Sequence, residues 1–96
     1  GSNFVDRGDL RYTNRVGDYW EFDFTKGVRL THKSGFDGAG VDVFLNGVLQ
    51  SRQYLMTGEV YFEVHPNTAS VKTVRVVMAD KTNQEFLLQT GLDVWI

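Results

Sequence analysis

The stretch GDYWEFDF, residues 17–24, decides the fold. In it Trp20, Phe22 and Phe24 alternate with Tyr19, Glu21 and Asp23. Successive side chains of an extended chain point to opposite faces, so this segment is a half-buried strand with its apolar side inward.

The period of two continues on both sides. After Gly27, Val28 and Leu30 alternate with Arg29 and Thr31. Residues 34–40, SGFDGAG, carry three glycines in seven positions and are expected to form a loop. In VDVFLNG, residues 41–47, Val41, Val43 and Leu45 oppose Asp42 and Phe44. Asn46-Gly47 then predicts a type I′ hairpin, whose two central residues both need positive φ, with a partner strand at about 48–55. Val60, Phe62 and Val64 alternate with Tyr61 and Glu63, and His65-Pro66-Asn67 ends that strand. Residues 65–72 are a polar connection, after which Val74, Val76 and Met78 oppose Thr73, Arg75 and Val77. A turn-rich stretch at 80–84 leads into a last segment, 86–96, with Leu92, Val94 and Ile96 on one side and Asp93 and Trp95 on the other.

No apolar series at i, i+3, i+4, i+7 is sustained anywhere, and no helix cap introduces one. The expectation is therefore an all-β domain, an antiparallel sandwich of jelly-roll type with seven to eight strands. Its expected inward set is Trp20, Phe22, Phe24, Val28, Leu30, Val41, Val43, Leu45, Val60, Phe62, Val64, Val74, Val76, Met78, Leu92, Val94 and Ile96.

Ninety-six residues, 42% hydrophobic and 23% charged, fit one globular domain with a real core. Gly1-Ser2 reads as the remnant of a cleaved expression tag, and residues 3–96 as a single module taken from a larger protein. A net charge of −2 argues against a nucleic-acid binder that relies on a basic surface. No apolar run approaches the ~18 residues of a membrane span. With no cysteine there are neither disulfides nor thiolate metal sites.

The order GDYWEFDFTKGVRL (17–30), SGFDGAGVDVFLNGVL (34–49), VKTVRVVMADKTN (71–83) and LDVWI (92–96) resembles carbohydrate-binding-module-like jelly rolls. Such modules stand beside hydrolase and esterase catalytic domains and occur in phage tail proteins. The resemblance covers residues 17–96 and lies in turns and strand order. It departs at Thr25-Lys26-Gly27, which is one residue shorter and lacks a glycine. It departs again at Asn46, where the group has Asp, and at Gln84-Glu85, where small residues are usual. It implies an extracellular, cell-surface or virion setting, a carbohydrate ligand and neighbouring domains in a parent protein.

Catalysis finds little support. A hydrolytic triad needs a nucleophile, a base and an orienting carboxylate in mutual reach. There is no Gly-x-Ser-x-Gly elbow, and Ser2, Ser34, Ser51 and Ser70 are scattered. His32 and His65 are expected at ordinary polar surface positions. Asp37 and Asp42 flank the glycine-rich loop, yet their spacing matches no calcium loop, and turn aspartates bonding their own backbone account for them better. No cofactor, metal or catalytic residue is expected.

Strand direction carries the positive expectation. If each strand reverses the last, segments 8–18, 34–40, 55–59 and 80–85 gather at one end, and 25–27, 46–47 and 65–72 at the other. The first end then holds Tyr12, Phe36, Asp37, Tyr54, Lys81 and Asn83, with Met56 and Gln84 nearby. Aromatic faces for the C–H face of a pyranose, together with amides and charges for its hydroxyls, suit a sugar. Phe36 has a competing reading as a plug under its loop, and Tyr12 and Tyr54 as packing at the end of the sandwich. A second candidate surface is the outward set Tyr19, Phe44, Tyr61 and Trp95, suited to an extended glycan or, for Trp95 above all, to a partner domain. The leading expectation is a non-catalytic carbohydrate-binding module. The alternative is a structural or protein-interaction sandwich, such as a phage-tail decoration or a spacer beside a catalytic domain.

Overall fold

Half-buried strands hide their apolar faces only when two sheets meet, about 10 Å apart. The computed structural model, which describes residues 5–7, 10–34, 39–55, 58–80 and 87–96, is built this way. Its strands are β1 (Val5–Arg7), β2 (Leu10–Thr13), β3 (Tyr19–Phe24), β4 (Gly27–Ser34), β5 (Ala39–Leu45), β6 (Val48–Leu55), β7 (Val60–Val64), β8 (Lys72–Asp80) and β9 (Leu87–Trp95). One sheet has the order β1-β2-β9-β4-β7 and the other β3-β8-β5-β6, with every pairing antiparallel. The seven strands from β3 onward are those expected from the alternation, and the segment ahead of residue 17 adds the short β1/β2 hairpin.

The chain crosses between sheets at most connections and stays in one sheet through the β1/β2 hairpin and then the β5/β6 hairpin. That hairpin turns on Asn46 and Gly47, with φ of 50° and 82°, the positive pair a type I′ turn requires. The Asn46 amide oxygen accepts from the Thr73 backbone N–H at 2.9 Å, tying the hairpin to the start of β8. At the other end Gly17 N–H donates to the Met78 carbonyl and Met78 N–H to the Asp18 carbonyl. The described connections thus gather at the two ends as strand reversal requires.

The core is Trp20, Phe24, Val28, Leu30, Ala39, Val41, Val43, Leu55, Val74, Val76, Met78 and Leu87, with Phe22, Leu45, Val60, Phe62 and Val64 packed against it. Three members of the expected inward set are corrected: Leu92 is 43% exposed, Val94 42% and Ile96 97%. The cause is pairing. Strand β2 runs beside β9 only at Leu87–Gln89, and among the described residues nothing flanks the later half of β9 on that side. Leu30 and Leu92 are register partners, yet Leu30 is completely buried.

His32 is also corrected, from surface to interior. The pairing of β4 with β9 shifts register between Thr31 and His32, which places His32 opposite Gln89. Both are buried, and Gln89 pairs on its other side with Arg11, whose guanidinium carbon lies 4.0 Å from the Trp20 ring centre. A polar row therefore crosses the inner face of the five-stranded sheet. Burial pushes the His32 imidazole down to about 4 from its ordinary 6.5, an effect that the neighbouring Gln89 amide offsets in part.

Two outcomes follow from this packing. In urea denaturation Leu30→Ala should cost about 2–5 kcal/mol, whereas Leu92→Ala, which removes an already half-wet side chain, should cost about 1 kcal/mol. Because the folded state holds His32 neutral, its contribution is complete above about pH 6.5 and is lost as pH falls toward about 4. That loss amounts to about 3 kcal/mol and should be absent from His32→Leu when the two pH–stability curves are subtracted.

Candidate ligand groove on the four-stranded sheet

Alternation gives the four-stranded sheet an outer face as ordered as its core. On β5, Val41 and Val43 point inward, so Gly40, Asp42 and Phe44 point out. Pairing then sets their neighbours. Gly40 stands between Tyr54 of β6 and Asp80 of β8. Asp42 stands between Arg52 and Val77, with Tyr19 beyond Val77 on β3. Phe44 stands between Leu49 and Arg75, with Glu21 beyond Arg75. The register of β5 shifts against β8 between Gly40 and Val41, and against β6 between Val43 and Phe44. In the first case Ala79 is the extra residue and in the second Gln50.

The charged side chains of this face are held. Arg52 Nε and Nη2 donate to Asp42 Oδ1 and Oδ2, each at 2.9 Å, a bidentate fork across two strands. Arg75 Nε donates to Glu21 Oε2 at 2.9 Å while its guanidinium carbon lies 4.2 Å from the Tyr19 ring centre. Hydrogen bonding to these carboxylates raises both guanidinium pKa values further above the ordinary arginine value. Nearer the hairpin, Thr73 Oγ1 donates to Asp23 Oδ1 at 2.7 Å.

Two hollows lie over these rows. The larger, about 680 Å3, is lined by Tyr54, Gly40, Asp80, Asp42, Arg52 and the turn at Val16 and Gly17, among others. The smaller, about 430 Å3, includes Glu21, Arg75, Phe44, Thr73 and Gly47 in its lining. Asp42 and Val77 line both, so the hollows meet in one groove along β5 and β8. At Gly40 the floor is bare backbone. A Cβ there would sit 3.3 Å from Asp80 Cβ, so any side chain would crowd Asp80 and take up space between it and the Tyr54 ring, which is 54% exposed.

Of the residues expected to bind sugar, Tyr54 lies in this groove. Tyr12 does not: it alternates with inward Thr13, pairs with Leu88, and stands on the outer face of the other sheet. Phe36, Asp37, Lys81 and Asn83 lie outside the described residues, as do Met56 and Gln84. The four outward aromatics divide between the two faces. Tyr19 and Phe44 belong to the groove sheet. Tyr61 and Trp95 belong to the five-stranded sheet, where Arg29 lies over Tyr61 at 4.2 Å and His65 meets Trp95 edge-on at 4.6 Å. His65 Nε2 is 2.8 Å from Glu63 Oε2. The sequence reading missed Gly40, Asp42, Arg52 and Asp80 as groove residues, although Gly40 is in phase with the outward Asp42 and Phe44. Among the described residues no three His, Cys, Asp or Glu side chains converge as a metal site would require. No described helix is long and apolar enough to cross a membrane.

No family model matches the sequence, and no curated protein matches it. Solved structures do. A family two carbohydrate esterase from Clostridium thermocellum, in complex with cellohexaose, superposes with a TM-score of 0.80 at 11% identity, over 98% of this chain and 30% of that one. The CBM36-1 domain of a multidomain xylanase, from the hindgut metagenome of Trinervitermes trinervoides, gives 0.70 at 15% identity, covering 96% of this chain and 84% of that one. A carbohydrate-binding module CBM36 in complex with calcium and xylotriose gives 0.64 at 8%, covering 98% and 93%. The chain thus spans under a third of the esterase and nearly all of the isolated modules. At these identities the likeness is one of fold: a small β-sandwich of the carbohydrate-binding-module type.

Proposed function

We propose that the chain is a non-catalytic carbohydrate-binding module that attaches a larger extracellular or surface-acting protein to a glycan, and that the glycan lies in the groove of the four-stranded sheet. The observation that carries this reading is the row Tyr54, Gly40, Asp80: an exposed ring and a carboxylate across a strip of bare backbone. A pyranose fits such a place, its C–H face on the ring and its hydroxyls toward the carboxylate. One strand step away, the Asp42–Arg52 fork holds donors and acceptors in fixed positions, so less side-chain ordering is lost when a ligand binds. Further support comes from the fold, shared with a module in complex with xylotriose and an esterase in complex with cellohexaose. Phe36 and Asp37 precede β5 in sequence and Lys81 and Asn83 follow β8, and they stay part of the proposal as further sugar contacts.

Titration of the 96-residue chain with xylo- and cello-oligosaccharides, followed by two-dimensional NMR, tests the reading. The expected outcome is a cluster of shifts at Gly40, Asp42, Arg52, Tyr54 and Asp80, and a roughly two- to tenfold loss of affinity in Tyr54→Ala. Shifts confined to Tyr61 and Trp95 would move the site to the other sheet. A silent panel, with binding of a neighbouring domain instead, would favour the structural sandwich. Turnover of aryl acetates or aryl glycosides by the isolated domain would overturn the non-catalytic assignment.

A further inference from the structure

The later half of β9 is an open sheet edge that carries apolar side chains. On one side β4 pairs with β9 as far as Trp95. On the other, β2 stops at Gln89, and among the described residues no strand continues that side of the sheet. Leu92, Val94 and Ile96 share the inward phase, all three are exposed, and Asp93 is the one charge in residues 90–96. The edges formed by β3, β6 and β7 are better guarded: β3 by Glu21 and Asp23, β6 by Arg52 and a register shift, β7 by its shortness and Glu63. At the far end of the open stretch lies a hollow of about 220 Å3 lined by Phe24, Thr25, Val71, Val94, Trp95 and Ile96, among others. Its walls are fixed in advance. Lys72 is buried, and its Nζ donates to the Thr25 carbonyl at 2.8 Å and also to the Thr68 carbonyl. The His65 ring lies against Gly27, where a Cβ would collide with it, and meets Trp95 edge-on. An unpaired edge takes an extended strand, and a small apolar hollow beside it takes one aliphatic side chain.

The segment is complementary to itself in one register. Antiparallel pairing of two copies about Val94 sets Val94 against Val94, Leu92 against Ile96 and Asp93 against Trp95, so inward apolar residues meet only each other. Pairing about Asp93 opposes two carboxylates. Pairing about Leu92 needs Gln89, which β2 already occupies, and a one-residue slip sets inward positions against outward ones. We infer that a second copy of this chain covers the open edge, β9 to β9 about a two-fold axis at Val94, joining the two five-stranded sheets into one. Leu92 of the second copy then stands beside Ile96, at the hollow, and the two-fold axis makes the exchange reciprocal. Five residues per copy make a short edge, below the roughly 1,200 Å2 of stable complexes, so the pair forms and parts readily. The outer faces of both four-stranded sheets stay open, and a dimer carries the groove described above twice.

The test is sedimentation equilibrium of the 96-residue chain from about 10 µM to about 1 mM, with two-dimensional NMR over the same range. The mass should rise from monomer toward dimer, and the concentration-dependent shifts should fall on residues 90–96. In a mixture of isotope-labelled and unlabelled chains, contacts between copies should join Val94 to Val94 and Leu92 to Ile96. Val94→Lys brings two ammonium groups together at the axis and should weaken association about tenfold or more, while its thermal melt stays near the native one because Val94 is half exposed in the single chain. If that variant fails to fold, the contacts between native copies decide the matter alone. A chain that stays monomeric throughout would overturn the inference and leave the edge to a strand of another protein. A dimer whose contacts lie outside residues 90–96, or one that a folded Val94→Lys forms as well as the native chain, would overturn it too.

Discussion

Strand β5 is paired along its length on both sides, to β6 and to β8, and the rest of the molecule depends on that double pairing. It fixes which way each side chain of β5 points. Ala39, Val41 and Val43 enter the core, and Gly40, Asp42 and Phe44 form the middle of the outer face. Through the same ladders it sets Arg52 and Tyr54 on one flank and Arg75, Val77 and Asp80 on the other. Core and groove are therefore two readings of one alternation. A slip of one residue would exchange them, burying Asp42 and exposing Val41 and Val43.

The polar pairs of this face differ in setting: Arg75–Glu21 is exposed on both sides and contributes little to stability, whereas the Asp42 carboxylate is covered. Their weight lies in arrangement. The Asp42–Arg52 fork has its carboxylate almost fully covered and its guanidinium largely exposed, so a charge anchored in the sheet presents ordered donors to solvent. The opposite sheet is furnished differently. Arg29 covers Tyr61 and contacts Glu63, and Glu63 meets His65, so that face is occupied by its own side chains.

Much of this was legible in the sequence because a period of two is a local property. The segment 17–24, the hairpin at Asn46-Gly47 and the alternation through 72–80 each needed only neighbours along the chain, and the observed strands follow them. What was not legible depended on partners. Leu92 and Val94 alternate correctly and point inward, but their exposure is set by how far β2 extends alongside β9. His32 is in phase with inward Val28 and Leu30, so its burial was legible there and the polar side chain outweighed the pattern; its partner Gln89 was not legible, because the register shift against β9 has no sequence signal. Gly40 was counted with a glycine-rich loop, although it is a paired strand residue whose missing side chain shapes the groove. Glycine carries no hydropathy, so a pattern of apolar and polar residues passes over it. Tyr12 and Tyr54 fall toward the same end but belong to different sheets, and end and face are separate coordinates that strand direction alone does not distinguish.

The two register shifts flanking β5 have an evolutionary consequence. Each bulge marks one place where the ladders can close, with Ala79 on one side and Gln50 on the other as the extra residue, so the strand has no sliding freedom even when its outward side chains change. Outward residues such as Phe44 and Tyr54 can then be exchanged without shifting the strand register, because the inward valines and the bulges hold the backbone frame. A face of this kind separates inheritance of the scaffold from inheritance of its specificity. Chains that share barely a tenth of their residues can keep superposable frames while each writes a different surface upon them.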